Sequence, residues 1–156
     1  MSEILNDRDQ LSEPLEVPQF LVSVRSVEEA CLARDAGVDL IDLKEPGRGP
    51  LGMVDLEVAR IIAAECGHSQ LSLAMGELSE WKERESWPVI PREFQFLKMG
   101  LAGQRIRVGW QEDWREIRTR LEENAESVFR WIAVVYADWK KAEAPAPEEI
   151  IEAAIE

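Results

Sequence analysis

Short apolar runs separated by amphipathic segments constrain this chain more than any other feature. Phe20-Leu-Val-Ser-Val24, Leu40-Ile-Asp-Leu43, Gln70-Leu-Ser-Leu-Ala-Met75, Phe94-Gln-Phe-Leu-Lys-Met-Gly100 and Trp131-Ile-Ala-Val-Val-Tyr136 each read as a β-strand. Segments of helical spacing follow them, with Val27, Ala30, Cys31 and Ala36 in the first, Leu56, Ala59, Ile62, Ala63 and Cys66 in the second, and Ile117, Leu121 and Ala125 in the third. Alternating strands and helices predict parallel strands joined by right-handed crossovers, covered on both sides. Two closures compete, an open doubly wound sheet and part of a (β/α)₈ barrel. No G-x-G-x-x-G follows the first strand, which leaves dinucleotide binding without support.

Local signals set the expected boundaries. Residues 1–18 lack periodicity and are expected to form a mobile arm, with one domain over 19–156. Ser26-Val-Glu-Glu29 and Asp113-Trp-Arg-Glu116 have capping-box spacing, Asp55 is placed to cap the second helix, and Gly37 and Gly67 close two helices. Residues 79–92 carry Trp81, Trp87, Pro88 and Pro91 with no clean period and are read as a short helix and a loop. Pro147 suits the first turn of a last helix containing Ile150, Ile151 and Ala154.

Charge and composition narrow the function. A net charge of −13 argues against a nucleic-acid partner, because phosphate contacts are supplied mainly by Lys and Arg. No apolar run reaches the roughly 20 residues of a membrane span, so the cytoplasm and no membrane partner are expected. A single histidine, His68, leaves a His-based triad or multi-His metal site without members, and neither metal nor cofactor is expected. Cys31 and Cys66 read as small packing residues. Met75 and Met99 read the same way, and Trp110, Trp114, Trp131 and Trp139 as core or rim.

The chemistry gathers at the ends of strands. Asp42 and Lys44 share one face of their strand and lead into a loop with Pro46, Gly47, Gly49, Pro50 and Gly52, whose backbone is free to approach a ligand. Glu77, Lys98, and Asp138 with Lys140 and Lys141 occupy corresponding places on other strands. In parallel α/β folds these C-terminal ends carry the active site. A lysine amine that is neutral attacks a carbonyl to form a Schiff base, and both apolar burial and a second lysine favour the neutral form. Asp42 is placed to move protons in the steps that follow. The pattern points to carbonyl or aldol-type chemistry on a small substrate.

Several of these stretches together resemble the (5-formylfuran-3-yl)methyl phosphate synthase family. They are Phe20-Leu-Val-Ser-Val24, Asp42-Leu-Lys-Glu-Pro46 with Gly49-Pro-Leu-Gly52, Leu97-Lys-Met-Gly-Leu101, Tyr136-Ala-Asp-Trp139 and Ala144-Pro-Ala-Pro-Glu-Glu149. The resemblance implies a TIM-barrel lyase that condenses two molecules of glyceraldehyde 3-phosphate into a furan-carboxaldehyde phosphate on the route to methanofuran. It implies Lys44 as the Schiff-base lysine, Asp42 as its acid/base partner, Lys98 as a second lysine and Asp138 as the aspartate of the fifth strand, with Lys140 or Lys141 as a third lysine. Ser23 and Glu77 are further candidates on the same rim. A TIM barrel typically takes about 250 residues and eight strands, whereas five βα units are read here. A partial barrel is therefore expected, its edges covered by another copy or a complementing chain. The alternatives are an inactive half-barrel serving as an assembly module and another lysine aldolase on the same scaffold.

Overall fold

The computed structural model describes residues 18–82 and 84–155, so most of the expected N-terminal arm lies outside the described residues. Five strands form one parallel sheet in the order β1-β2-β3-β4-β5: Leu21–Val24, Leu40–Leu43, Gln70–Glu77, Phe94–Gly100 and Arg130–Ala133. The intervening helices are α1 (Val27–Asp35), α2 (Leu56–Cys66) and α3 (Trp110–Ala125), and α4 (Pro147–Ile155) follows β5. No strand order reverses, so the topological switch of a doubly wound sheet is missing from these five strands. Among the described residues β1 and β5 remain edges, and the sheet is not closed into a barrel.

Side-chain alternation divides the sheet into two unlike faces. Ile41, Leu43, Leu71, Leu73, Met75, Leu97 and Met99 are buried in one apolar cluster with Ala30 and Ala33 of α1, Ala59, Ile62, Ala63 and Cys66 of α2, and Trp114, Ile117 and Leu121 of α3. Small residues on α1 and α2 let those helices lie close to the strands and to each other. Cys31 and Cys66 are free thiols, and burial pushes the Cys66 thiol up from its ordinary range. The opposite face carries Ser23, Asp42, Ser72 and Lys98. That face is the polar one.

Several boundaries differ from the sequence expectation. Helix α3 starts at Trp110, before the expected box at Asp113, because Gly109 takes a left-handed turn (φ 83°) ahead of it and Trp110 and Trp114 are both buried. Asp113 instead faces Lys82 and Arg107. Ser26 accepts the Glu29 N–H as expected (3.2 Å), but the Glu29 carboxylate accepts from Arg25 N rather than from Ser26. Asp55 sits at the N-cap of α2 but makes no capping hydrogen bond, its carboxylate being held by Arg48 at 2.8 Å. Strand β5 ends at Ala133, not Tyr136, since it pairs only with β4 and is half exposed.

The segment without a clean period owes its order to one indole. Leu78–Trp81 is a 3₁₀ turn, and Trp81, fully buried, donates its Nε1–H to the Met75 carbonyl at 2.7 Å while its ring packs on Trp87. Replacing Trp81 with Phe keeps an aromatic ring but removes that donor. Urea unfolding should show a loss of about 1–3 kcal/mol, the range for stranding one buried hydrogen-bonding partner.

Candidate active site

Asp42 is the centre of the polar face. Its side chain is 1% exposed, and the Oδ2 atom receives both the Lys98 ammonium (2.6 Å) and the Ser23 hydroxyl (3.0 Å). Strand pairing explains the meeting. Ser23, Asp42 and Ser72 are register partners on β1, β2 and β3, and Lys98 stands on β4 beside Ala74. Oδ1 of Asp42 and Oγ of Ser72 are buried and make no hydrogen bond among the described residues. A buried carboxylate with one oxygen saturated and the other open is arranged to accept a further hydrogen bond.

Lys44 lies just past β2, its backbone N–H continuing the ladder to Val24 O at 3.0 Å. Its side chain is half-buried and lines a cleft with Ser23, Val24, Arg25, Glu29 and Pro46. Ser23 thus touches both the cleft and Asp42. Among the described residues Lys44 forms no ion pair, and the carboxylate of Asp42 is engaged by Lys98 instead. The glycine loop closes on itself: Glu45 N donates to Gly52 O (2.8 Å), and a Cβ at Gly52 would collide with the Glu45 carbonyl. Gly52 therefore serves the loop's own packing.

Glu77 comes onto the polar face through a bulge. Ala74 pairs with Lys98 but Glu77 with Gly100, so β3 spends one more residue than β4 over that interval. Glu77 Oε2 accepts from Ala102 N (2.8 Å), and Oε1 accepts from the Tyr136 hydroxyl (2.5 Å). Gly100 leaves room for this contact, since a Cβ there would strike both the Glu77 carboxylate and the Tyr136 hydroxyl. Burial first, and the Glu77 hydrogen bond second, push the Tyr136 phenol far above its ordinary range. Tyr136 was not among the sequence candidates. The available signal was that it is the chain's single tyrosine, at the end of the fifth apolar run.

The strand-five aspartate is placed differently from the expectation. With β5 ending early, Asp138 lies in an exposed turn, where its backbone carbonyl accepts from Lys141 N and Ala142 N. Lys140 is exposed over the Trp139 ring (5.3 Å), and Lys141 is exposed too. The structure brings together Ser23, Asp42 and Lys98 with Lys44 alongside, and Glu77 joins the same rim. It does not bring Asp138, Lys140 or Lys141 into contact with them. Replacing Asp42 with Ala should cost about 3–5 kcal/mol in urea unfolding, because it strands a largely buried ammonium. Adding Lys98→Met should restore a good part of that loss.

The sequence model of the 4-HFC-P synthase family matches residues 20–156. A protein of Methylorubrum extorquens with the provisional name (5-formylfuran-3-yl)methyl phosphate synthase is 47% identical over 58 residues, a stretch covering 37% of this chain and 25% of that protein. The chain belongs to the 4-HFC-P synthase family.

Proposed function

We propose that the chain carries the Schiff-base centre of a lyase of methanofuran biosynthesis, which condenses two molecules of glyceraldehyde 3-phosphate into 4-(hydroxymethyl)-2-furaldehyde phosphate. One phosphate and two waters leave, which balances the atoms. The observation that carries the reading is Asp42, buried beside the cleft of Lys44, with Oδ2 held by Lys98 and Ser23 and Oδ1 open. Lys98 is engaged with that carboxylate, so Lys44 is the amine available for attack. The Lys44 amine adds to the aldehyde carbon to give a carbinolamine. Asp42, having taken a proton from Lys98, delivers it to the carbinolamine hydroxyl, which leaves as water as the nitrogen lone pair forms the iminium. Fixing donors and acceptors where charge develops is a main source of rate.

The open edges of β1 and β5 support a working form in which further strands, from another copy or another chain, lie against the sheet. The acidic chain has no described helix long and apolar enough to cross a membrane, in keeping with a cytoplasmic reaction on a small phosphorylated triose.

Incubation with glyceraldehyde 3-phosphate and borohydride, followed by peptide mapping, tests the assignment. Lys44 should carry the reduced adduct, Lys44→Ala should carry none, and product should appear by its near-ultraviolet furan absorbance. An adduct without furan product would favour another aldolase. Furan formation with an unlabelled Lys44 would contradict the mechanism.

A further inference from the structure

We infer that Tyr136 and Glu77 form a proton relay that removes the proton α to the Lys44-bound iminium carbon of an aldehyde substrate, an inference that rests on the Schiff-base reading above. Three observations carry it. The β3 bulge returns Glu77 to the face of Lys98, opposite Gly100. Gly100 lies one same-face step, about 7 Å, beyond Lys98 along β4, so the pair stands directly above the Asp42–Lys98 layer. The approach is built: Gly100 is the residue type that leaves room for both groups, and Ala102 N fixes the second carboxylate oxygen at 2.8 Å.

Donor and acceptor counting sets the direction of transfer. The phenol spends its single O–H on Glu77 Oε1, leaving oxygen lone pairs as its only capacity toward a substrate. Tyr136 therefore receives a proton rather than offering one. In the step, the C–H bond α to the iminium carbon breaks and its proton passes to Tyr136 Oη, while the phenol's own proton passes to Glu77 Oε1. The released electron pair neutralises the iminium and gives the enamine, and Glu77 ends as the neutral acid. Tyr136 keeps one proton throughout, in keeping with a burial that opposes its ionisation. Asp42 serves the carbon–oxygen step and this pair the carbon–hydrogen step.

The test incubates the full chain with glyceraldehyde 3-phosphate in deuterium oxide. It reads two quantities, the borohydride-trapped adduct on Lys44 by mass spectrometry and deuterium at the α carbon of recovered substrate by NMR. Tyr136→Phe and Glu77→Gln should each trap as well as the parent and exchange about 100-fold more slowly, the lower end of what a positioned acid/base contributes. If Tyr136→Phe loses its cooperative melt, Glu77→Gln decides alone. Undiminished exchange in the variants overturns the relay and leaves the Schiff base standing. Loss of trapping together with exchange also overturns it, because the pair then only builds the site. A parent that is not trapped overturns both readings.

Discussion

A single carboxylate inside the sheet organises the polar face of this protein. Asp42 is 1% exposed, and a charge so placed is expensive unless it is paired and hydrogen-bonded. Ser23 meets that requirement from the adjacent strand β1, and Lys98 from β4, two strands away, reaching across β3 past the small residue Ala74. The interaction therefore ties β1, β2 and β4 together, Ser23 level with Asp42 and Lys98 reaching it diagonally from one same-face step further along β4. It also distinguishes two lysines: Lys98 is paired with Asp42, whereas Lys44, just beyond β2, lines the cleft.

The second layer follows from backbone geometry more than from charge. One extra residue in β3 turns Glu77 toward the polar face, and the absence of a side chain at Gly100 lets Tyr136 cross the end of β4 to reach it. The loop after β5 is thereby fastened to the end of β3. The two layers, Asp42 with Lys98 and Glu77 with Tyr136, thus lie on the same face of the sheet, one same-face step apart along β4.

Much of this was legible in the sequence. Period-2 runs and glycine stops mark all five strands, and the strand-end rule points to Asp42, Lys44, Glu77 and Lys98, which share one rim, and equally to Asp138, Lys140 and Lys141, which lie in an exposed turn. What escaped has physical causes. Alternation put Asp42 and Lys44 on one face and suggested that they act as a pair, but it carries no information about strand β4, whose Lys98 takes the carboxylate. The Asp113 box was misleading because burial of Trp110 and Trp114 rewards an earlier helix start than local capping does. Strand β5 looked long because Val134, Val135 and Tyr136 are β-formers, yet without a neighbour on its far side the ladder stops at Ala133 and Asp138 is left in a turn. The bulge in β3, which brings Glu77 to Tyr136, has no local sequence signal beyond Gly76.

Occupancy of Lys98 by Asp42, with Lys44 left reactive, is the point on which the chemistry turns. Trace acetylation of the native chain with acetic anhydride, quantified on the two lysine peptides by mass spectrometry, measures it directly. Lys44 should be acetylated faster than Lys98, and replacing Asp42 with Asn should bring Lys98 up toward it. Acetylation of Lys98 as fast as or faster than Lys44 in the native chain would contradict the account.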